Sequence, residues 1–372
     1  MNDAGQAEVD VVIAESDALH ARVQLAIARG ADAREWSALA LDIAAFQIAH
    51  VEPVARLTRA RLGDRMPRSI DEIAALPTDV FRLRRVAAHP PELDTRVFRT
   101  SGTSEGAAAR GSHAFRTLAT YEAAALHSGR QLLLGEPRPT SAVLLTPSAA
   151  ALPDSSLSFM VDRFMRELGI DAPHAIDASF GLDLDAALAA LTRAEIGGEP
   201  TIVLGTAFAY VFLLDALGEQ RFRLARGSRL MLTGGFKGRT REVPESELRE
   251  RLSSMLGMPA SELVGEYGMT ELSSQLYEPR LRGEDVVHGT YRPPPWLFVS
   301  AADPTTLEPL PHGQRGVARL VDVANVDSSL GVQTMDLVEV QPNGDVRLFG
   351  RAPGASARGC SLTVDEIFGS RS

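Results

Sequence analysis

Three stretches of this chain combine residue types that can handle a phosphate-bearing nucleotide. The first reads Thr100-Ser101-Gly102-Thr103-Ser104-Glu105-Gly106. Its hydroxyl side chains and glycines let a backbone close around an anion, with main-chain N–H groups and hydroxyls as donors. Arg110 and His113 follow and could add positive charge near a triphosphate. The common pattern of Gly, four residues, then Gly-Lys-Ser/Thr is absent, and composition alone fits a Ser/Gly surface turn at least as well. The second stretch reads Gly265-Glu266-Tyr267-Gly268-Met269-Thr270-Glu271. An aromatic ring can stack on a planar base, and the hydroxyl and carboxylate beyond it can reach phosphate oxygens and Mg2+, a hard cation that takes oxygen ligands. Alone, the same residues also read as a strand-to-helix turn capped by Thr270. The third reads Met335-Asp336-Leu337-Val338-Glu339-Val340. An acidic residue at a strand end can hold two ribose hydroxyls, or it can simply face solvent.

In this order and at these distances, the three stretches resemble the adenylate-forming superfamily, whose members make acyl-AMP from ATP and a carboxylic acid. That superfamily has a Thr-Ser-Gly-Thr-Thr/Ser phosphate loop followed by Gly, a Tyr-Gly-x-Thr-Glu segment and a later Gly-Asp-Leu. Here they correspond to residues 100–106, to Tyr267-Gly268-Met269-Thr270-Glu271 and to Met335-Asp336-Leu337, with Gly350-Arg351 in the place of the hinge. Further stretches look like the acyl-protein synthetase (LuxE-type) family within it. They are Leu76-Pro77-Thr78-Asp79-Val80-Phe81, Thr233-Gly234-Gly235-Phe236-Lys237-Gly238, Pro294-Pro295-Trp296, Val323-Ala324-Asn325 and Arg358-Gly359-Cys360-Ser361-Leu362. The resemblance runs from about residue 67 to the C-terminus.

This resemblance implies the layered α/β N-terminal domain of an adenylate-forming enzyme with a smaller β-rich subdomain, lacking the full mobile C-terminal domain. The implied reaction activates a carboxylic acid, a fatty acid in the family's best-known members, with ATP and Mg2+. The acyl group then passes to Cys360 for delivery to an acyl reductase or another acceptor protein. Thr100, Ser101, Gly102, Thr103 and Ser104 would cradle the phosphates and Glu271 would hold Mg2+. Tyr267, with Gly268 and Thr270 beside it, would face adenine, and Gly234 and Gly235 would let backbone approach the base. Asp336 would bind ribose, within reach of Arg351. Glu105 departs from the pattern by placing a negative charge in the loop. The lysine that often follows that loop is missing, with Arg110 the nearest stand-in. Lys237 is the candidate for the missing catalytic cation, or else a solvated loop lysine. Cys360 is either the acyl carrier or a free thiol packed as a small apolar residue. Transfer to CoA, a carrier protein or an amine, and a catalytically inactive adenylate-binding scaffold, remain alternatives.

The elements that must position these residues follow from pattern and composition. With 372 residues the chain exceeds the usual single core, so two packed parts are expected. The reading places an N-terminal helical region at 1–66, an α/β core at 67–285 and a β-rich part with the cysteine segment at 286–372. Helices are expected over 9–61 with a break at Gly30, over 70–75 and over 115–134, the last directly after the glycine-rich loop. Strands at 141–146, 201–204, 229–233 and 263–266 alternate with helices, which points to a largely parallel sheet. Apolar residues 203–212 could leave room for an acyl chain or serve as core. Asn343-Gly344 signals a hairpin. A net charge of −10 argues against a role in coating nucleic acid or an anionic membrane. A single cysteine excludes an internal disulfide and fits a reducing compartment. The acidic N-terminus is no secretory signal, and the longest apolar run, near 202–214, is too short to span a bilayer. A cytoplasmic protein without an integral membrane segment is therefore expected.

Overall fold

The computed structural model describes residues 3–100, 110–234, 243–284 and 286–352. The chain opens with helices α1 (Asp3–Arg29), α2 (Ala33–His50) and α3 (Glu52–Leu62), then strand β1 (Ala75–Pro77) and the single turn α4 (Val80–Leu83). Strands β2 (Arg96–Arg99) and β3 (Ser112–Phe115) precede helix α5 (Ala119–Leu132). Next come β4 (Ser141–Leu145), α6 (Ser156–Leu168), α7 (Leu184–Gly197), β5 (Thr201–Thr206), α8 (Ala207–Leu217), β6 (Arg229–Thr233), α9 (Glu245–Leu256) and β7 (Leu263–Tyr267). The short strands β8 (Leu276–Tyr277) and β9 (Thr290–Tyr291) lead to β10 (Leu297–Ala302), β11 (Arg315–Asp322), β12 (Gly331–Val340) and β13 (Val346–Arg351). Among the described residues, no single helix is long and apolar enough to cross a membrane.

The chain divides into two compact units that interleave in sequence. One comprises Met1–Ala124, Met269–Ser274 and Arg292–Ser372, and the other Ala125–Gly268 and Gln275–Tyr291. The helices before residue 67 and the strands after residue 292 thus fall in one unit. Its sheet runs β10-β11-β12-β13 in antiparallel order, with β1 added in parallel to β12. The β12–β13 turn carries the expected Asn343-Gly344, with Gly344 at φ 86. Helices α1 and α2 lay Val23, Ile27, Trp36, Leu39 and Ile43 against Trp296, Val321 and Val323. Trp36 and Trp296 meet with ring centroids 5.6 Å apart. Asp32 caps α2 by accepting from the Glu35 N–H. The helical run breaks again at Val51, where Pro53 falls in the first turn of α3, the position at which a missing N–H costs least.

Two local expectations are corrected. The helix expected from 115 starts only at Ala119, and Phe115 instead ends an unexpected strand, β3, paired antiparallel with β2 from Arg96↔Phe115 to Arg99↔Ser112. Phe98 and Phe115 pack edge to face, 5.2 Å apart, a cross-strand contact that favours the ladder. The glycine-rich loop therefore joins two strands of a hairpin, not a strand to a helix, and no helix N-terminus follows it directly. The helix expected at 70–75 is only a short turn at Ile70–Glu72. The buried Arg319 guanidinium takes the carbonyls of Ile70, Asp71 and Ile73, which a continuing helix would need.

The second unit holds the parallel sheet β4-β5-β6-β7, with β8 antiparallel at its edge. Ser155 and Asp183 cap α6 and α7, and Gly169 closes α6 in the left-handed region. The apolar run 203–212 is core. A Cβ on Gly205 would lie 2.9 Å from the Tyr210 ring and 3.0 Å from Leu145 Cβ, so that glycine makes way for Tyr210 rather than for a ligand. Tyr210 donates to the carbonyls of Val203 (3.2 Å) and Met231 (2.7 Å), which satisfies its buried hydroxyl. At the β7–β8 edge the fully buried Glu278 accepts from Gly265 N (2.8 Å), Gly289 N (2.6 Å) and Arg280 Nε (2.9 Å). Arg249 Nη2 lies 3.0 Å from the same carboxylate.

Candidate active site

In the first unit, the β2–β3 hairpin carries Thr100, Arg110 and His113, while Asp336 lies mid-strand in β12 and Arg351 ends β13. Thr100 N donates to Gly111 O and Gly111 N donates to Thr100 Oγ1, both at 2.9 Å. Arg110 donates from Nε to Thr100 O and from Nη2 to Arg99 O. Arg110 thus fastens the neck of the hairpin. One strand away, His113 donates from Nδ1 to Thr270 O at 2.8 Å. Its ring lies 4.1 Å from Phe115 and 5.9 Å from Phe81, measured between centroids.

His113 does not supply the positive charge its sequence position suggested. Burial pushes its pKa down to about 4, so the imidazole is neutral near pH 7. A histidine whose folded pKa lies below its unfolded value contributes stability that is present above about pH 6.5 and lost as pH falls through about 4. Between pH 7 and pH 5 wild type is expected to lose about 2 kcal/mol on this account. His113→Asn retains a donor for Thr270 and does not titrate. Urea unfolding at the two pH values should show that difference shrink in the variant, and an unchanged difference would remove His113 as its source.

Beyond Thr270, Glu271 is buried, with 6% of its surface exposed. Burial raises its carboxyl pKa to about 7. Its own backbone N–H and the Arg351 charge favour the ionised form, while Asp336 and Asp79 oppose it. Asp336 and Arg351 face each other across the β12–β13 ladder, with Arg351 Nε 3.6 Å from Asp336 Oδ1. Asp79 comes from the turn before α4, which β1 sets beside β12 in register Ala75↔Gly331. A desolvated carboxylate with two more acids in its field is an arrangement that a bound cation relieves. Among the described residues no group of three or more His, Cys, Asp or Glu side chains could hold a metal ion by itself, so Glu271 could hold a hard ion such as Mg2+ only together with oxygen donors from a bound molecule.

The segment 270–274 is held from below by residues whose role sequence alone did not assign. Asn325 donates its amide to Glu271 O (2.8 Å) and accepts from Ser273 Oγ (2.6 Å). Asp322, fully buried, accepts from Ser273 N and Ser274 N, each at 2.9 Å, and from Ser274 Oγ at 2.7 Å. The quoted Val323-Ala324-Asn325 was the one available signal, and it says nothing about which backbone atoms the side chains reach.

In the second unit, β6 and β7 are parallel neighbours in register Thr233↔Glu266. Gly234 and Tyr267 therefore lie at the carboxyl ends of adjacent parallel strands, where open α/β sheets bind ligands. Thr233 Oγ1 hydrogen-bonds the Glu266 carboxylate. Gly234 is exposed at φ 67, a conformation that glycine adopts without strain. Half-buried Tyr267 sits 6.0 Å from the Tyr291 ring. A Cβ on Gly268 would fall 2.5 Å from Glu266 Oε1, so only glycine lets that carboxylate lie alongside the chain. The remaining candidates, Ser101, Gly102, Thr103, Ser104, Gly235, Lys237 and Cys360, lie outside the described residues.

The same arrangement of elements also occurs in solved structures. The structure of a 2-hydroxyisobutyryl-CoA ligase with 2-HIB-AMP and CoA matches with a TM-score of 0.58 at 15% identity, covering 86% of this chain and 76% of that one. The same ligase in its postadenylation state gives a TM-score of 0.58 at 15% identity over 90% of this chain and 67% of that one. The fold is thus that of the adenylate-forming enzymes. Within that class, the sequence matches the acyl-protein synthetase (LuxE) family over residues 60–369, and the chain belongs to that family. A curated relative, the long-chain-fatty-acid--luciferin-component ligase of Vibrio harveyi, is 25% identical over 198 residues. That match spans 50% of this chain and 50% of the relative.

Proposed function

We propose that this chain activates a carboxylic acid, of the fatty-acid class, as an acyl-adenylate and then passes the acyl group to the thiol of Cys360. The observation that carries the reading is Glu271. It is a buried carboxylate with its pKa raised to about 7, beside the Asp336–Arg351 pair and within a Tyr-Gly-x-Thr-Glu segment. Family membership supports the same reaction class, and the relative's printed name supports the acid class.

In the first step a carboxylate oxygen of the acid attacks the α-phosphorus of the co-substrate ATP. The bond to the β-phosphate oxygen breaks and pyrophosphate leaves. Attack at phosphorus asks the protein mainly for alignment and charge neutralisation. Asp336 would accept from the ribose hydroxyls, with Arg351 limiting its repulsion of the phosphates. Tyr267 would stack on adenine with Gly234 and Gly235 opposite, and Gly268 and Thr270 would complete that segment. Thr100, Ser101, Gly102, Thr103 and Ser104 would donate to the phosphates, with Arg110 holding the base of their loop. Glu271 would hold Mg2+, which when bound offsets phosphate charge, and Lys237 is the candidate for further positive charge. In the second step the Cys360 thiolate attacks the acyl carbon, AMP leaves, and a thioester remains for an acceptor such as an acyl reductase.

Two assays test the two steps. Pyrophosphate release across acids from acetate to long-chain fatty acids should show ATP-dependent turnover for at least one, and none for any acid would end the activation reading. A radiolabelled acyl group should become attached to wild type and be released by hydroxylamine. Cys360→Ser should lose that label while keeping pyrophosphate release. A label that persists in the variant would exclude Cys360 as the carrier. Turnover by the variant that accelerates with added CoA or an amine would point to an external acceptor.

A further inference from the structure

The short return of the chain, Met269–Ser274, is pinned to the first unit by a connected set of buried side chains. Asn325 is 2% exposed and Asp322 and Ser273 are at 0% and 1%, so their bonds form out of water's reach. The bonds have a direction. The Asn325 amide spends one N–H on the carbonyl of Glu271 itself and the other on Ser329 O at 3.0 Å. Its oxygen takes the Ser273 hydroxyl. Asp322 gathers the backbone N–H groups of Ser273 and Ser274, the Ser274 hydroxyl, and Ala324 N at 3.0 Å. Trp296 Nε1 donates to the same Ser274 hydroxyl at 2.9 Å. On the far side, Gln47 of α2 donates to Asn325 O (2.6 Å) and Val326 O (2.9 Å) and accepts from Leu330 N (2.9 Å). Asn325 is thereby held from behind while it holds Glu271 in front.

We propose that Asn325, backed by Asp322, is a positioning residue that fixes the backbone of Glu271 and so sets the affinity of this site for its divalent cation. The inference rests on the reading of Glu271 as the metal-holding carboxylate. The physical reason is that a carboxylate ligand binds a metal well only when its own orientation is settled beforehand. Partners one layer out commonly change metal affinity 10- to 100-fold. Other contacts to this segment, such as His113 to Thr270 O, would keep the chain nearby without Asn325. Loss of Asn325 should therefore loosen the aim of Glu271 more than it unfolds the unit.

The test uses Asn325→Ala and the milder Ser273→Ala, both on the full chain. Binding of Mn2+ is followed by EPR in the presence of a non-hydrolysable ATP analogue, and Mg2+ dependence is followed by pyrophosphate release with an accepted acid. Asn325→Ala is expected to raise the Mn2+ Kd and the half-saturating Mg2+ by about 10- to 100-fold, with kcat at saturating Mg2+ and the KM for the acid within a few-fold of wild type. Ser273→Ala retains the bond from Asn325 to Glu271 and should shift the metal curve only a few-fold. A drop in kcat with superimposable metal curves would mark a purely structural role and overturn the proposal. If Asn325→Ala fails to fold, Asn325→Leu, which fills a similar volume without the bond to Glu271 O, takes its place, and an unshifted Mn2+ Kd in that variant overturns the proposal. Wild type that binds Mn2+ but activates no acid would defeat the proposed activity while leaving the Kd comparison valid. Wild type that binds no Mn2+ would defeat both.

Discussion

Glu271→Gln is expected to lower acid-dependent pyrophosphate release on the order of 100- to 1,000-fold, the usual cost of removing one group aimed at reacting charge. The amide has nearly the same shape, so the substitution removes the negative charge and little else. Loss of fold would not account for the result, and the pH dependence of stability shows why. The Glu271 pKa is raised to about 7 by burial. An acid raised in this way contributes stability that is fully present below its unfolded value and lost as pH rises through about 7. Gln is neutral at every pH and avoids that loss. In metal-free buffer at pH 8 the variant should unfold at the same urea concentration as wild type or a higher one, while its activity is nearly gone. A variant that is stable and retains more than a tenth of wild-type turnover would remove Glu271 from the reaction.

The largest stability effect is expected at Glu278. Its buried carboxylate serves two backbone N–H groups and two arginines at once. Glu278→Ala leaves Arg249, only 7% exposed, with Glu245 at 2.7 Å from Nε but no carboxylate at Nη2. Breaking one half of a buried ion pair costs about 3–5 kcal/mol, because the remaining charge stays desolvated. In a chain of this size that corresponds to a melting temperature lower by about 5 °C. The pairing of β7 with β8 should loosen with it, since Gly265 N and Gly289 N lose their acceptor. Adding Arg249→Met to Glu278→Ala should recover part of the loss, which a double-mutant cycle measures. A single-variant cost under about 1 kcal/mol would mean that water replaces the carboxylate.

The parallel sheet was legible because its strands centre on short buried apolar runs, as 202–204 and 230–232 do. Hairpin β12–β13 was legible from Asn343-Gly344 alone. Strand β3 was missed because Ser112-His113-Ala114-Phe115 is short and runs into a helix, and its identity depends on Phe98, fourteen positions before Ser112. Strand β1 has only three residues and exists because Gly331 admits it. A Cβ there would stand 2.2 Å from Ala74 O, a contact between residues far apart in the chain. Glu271, Asp336 and Arg351 stood out as candidates from local motifs, and all three fall in the first unit. The charge state of His113 and the bonds of Asp322 and Asn325 were not recognisable. Burial and long-range hydrogen bonds decide them, and neither leaves a local pattern.

The three bonds of Gln47 bear on where this protein can be cut. The family match starts at residue 60, yet Trp36 and Gln47 precede it and lie inside the first unit. A chain trimmed to the matched span would uncover Trp296, Val321 and Val323, whose apolar cover comes from α1 and α2. It would also strip the carbonyls of Asn325 and Val326 of their donor and the Leu330 N–H of its acceptor. The stretch that is recognisable by descent is therefore shorter than the stretch that folds. Changes in α2, outside the matched span, would be felt at Glu271 through Asn325.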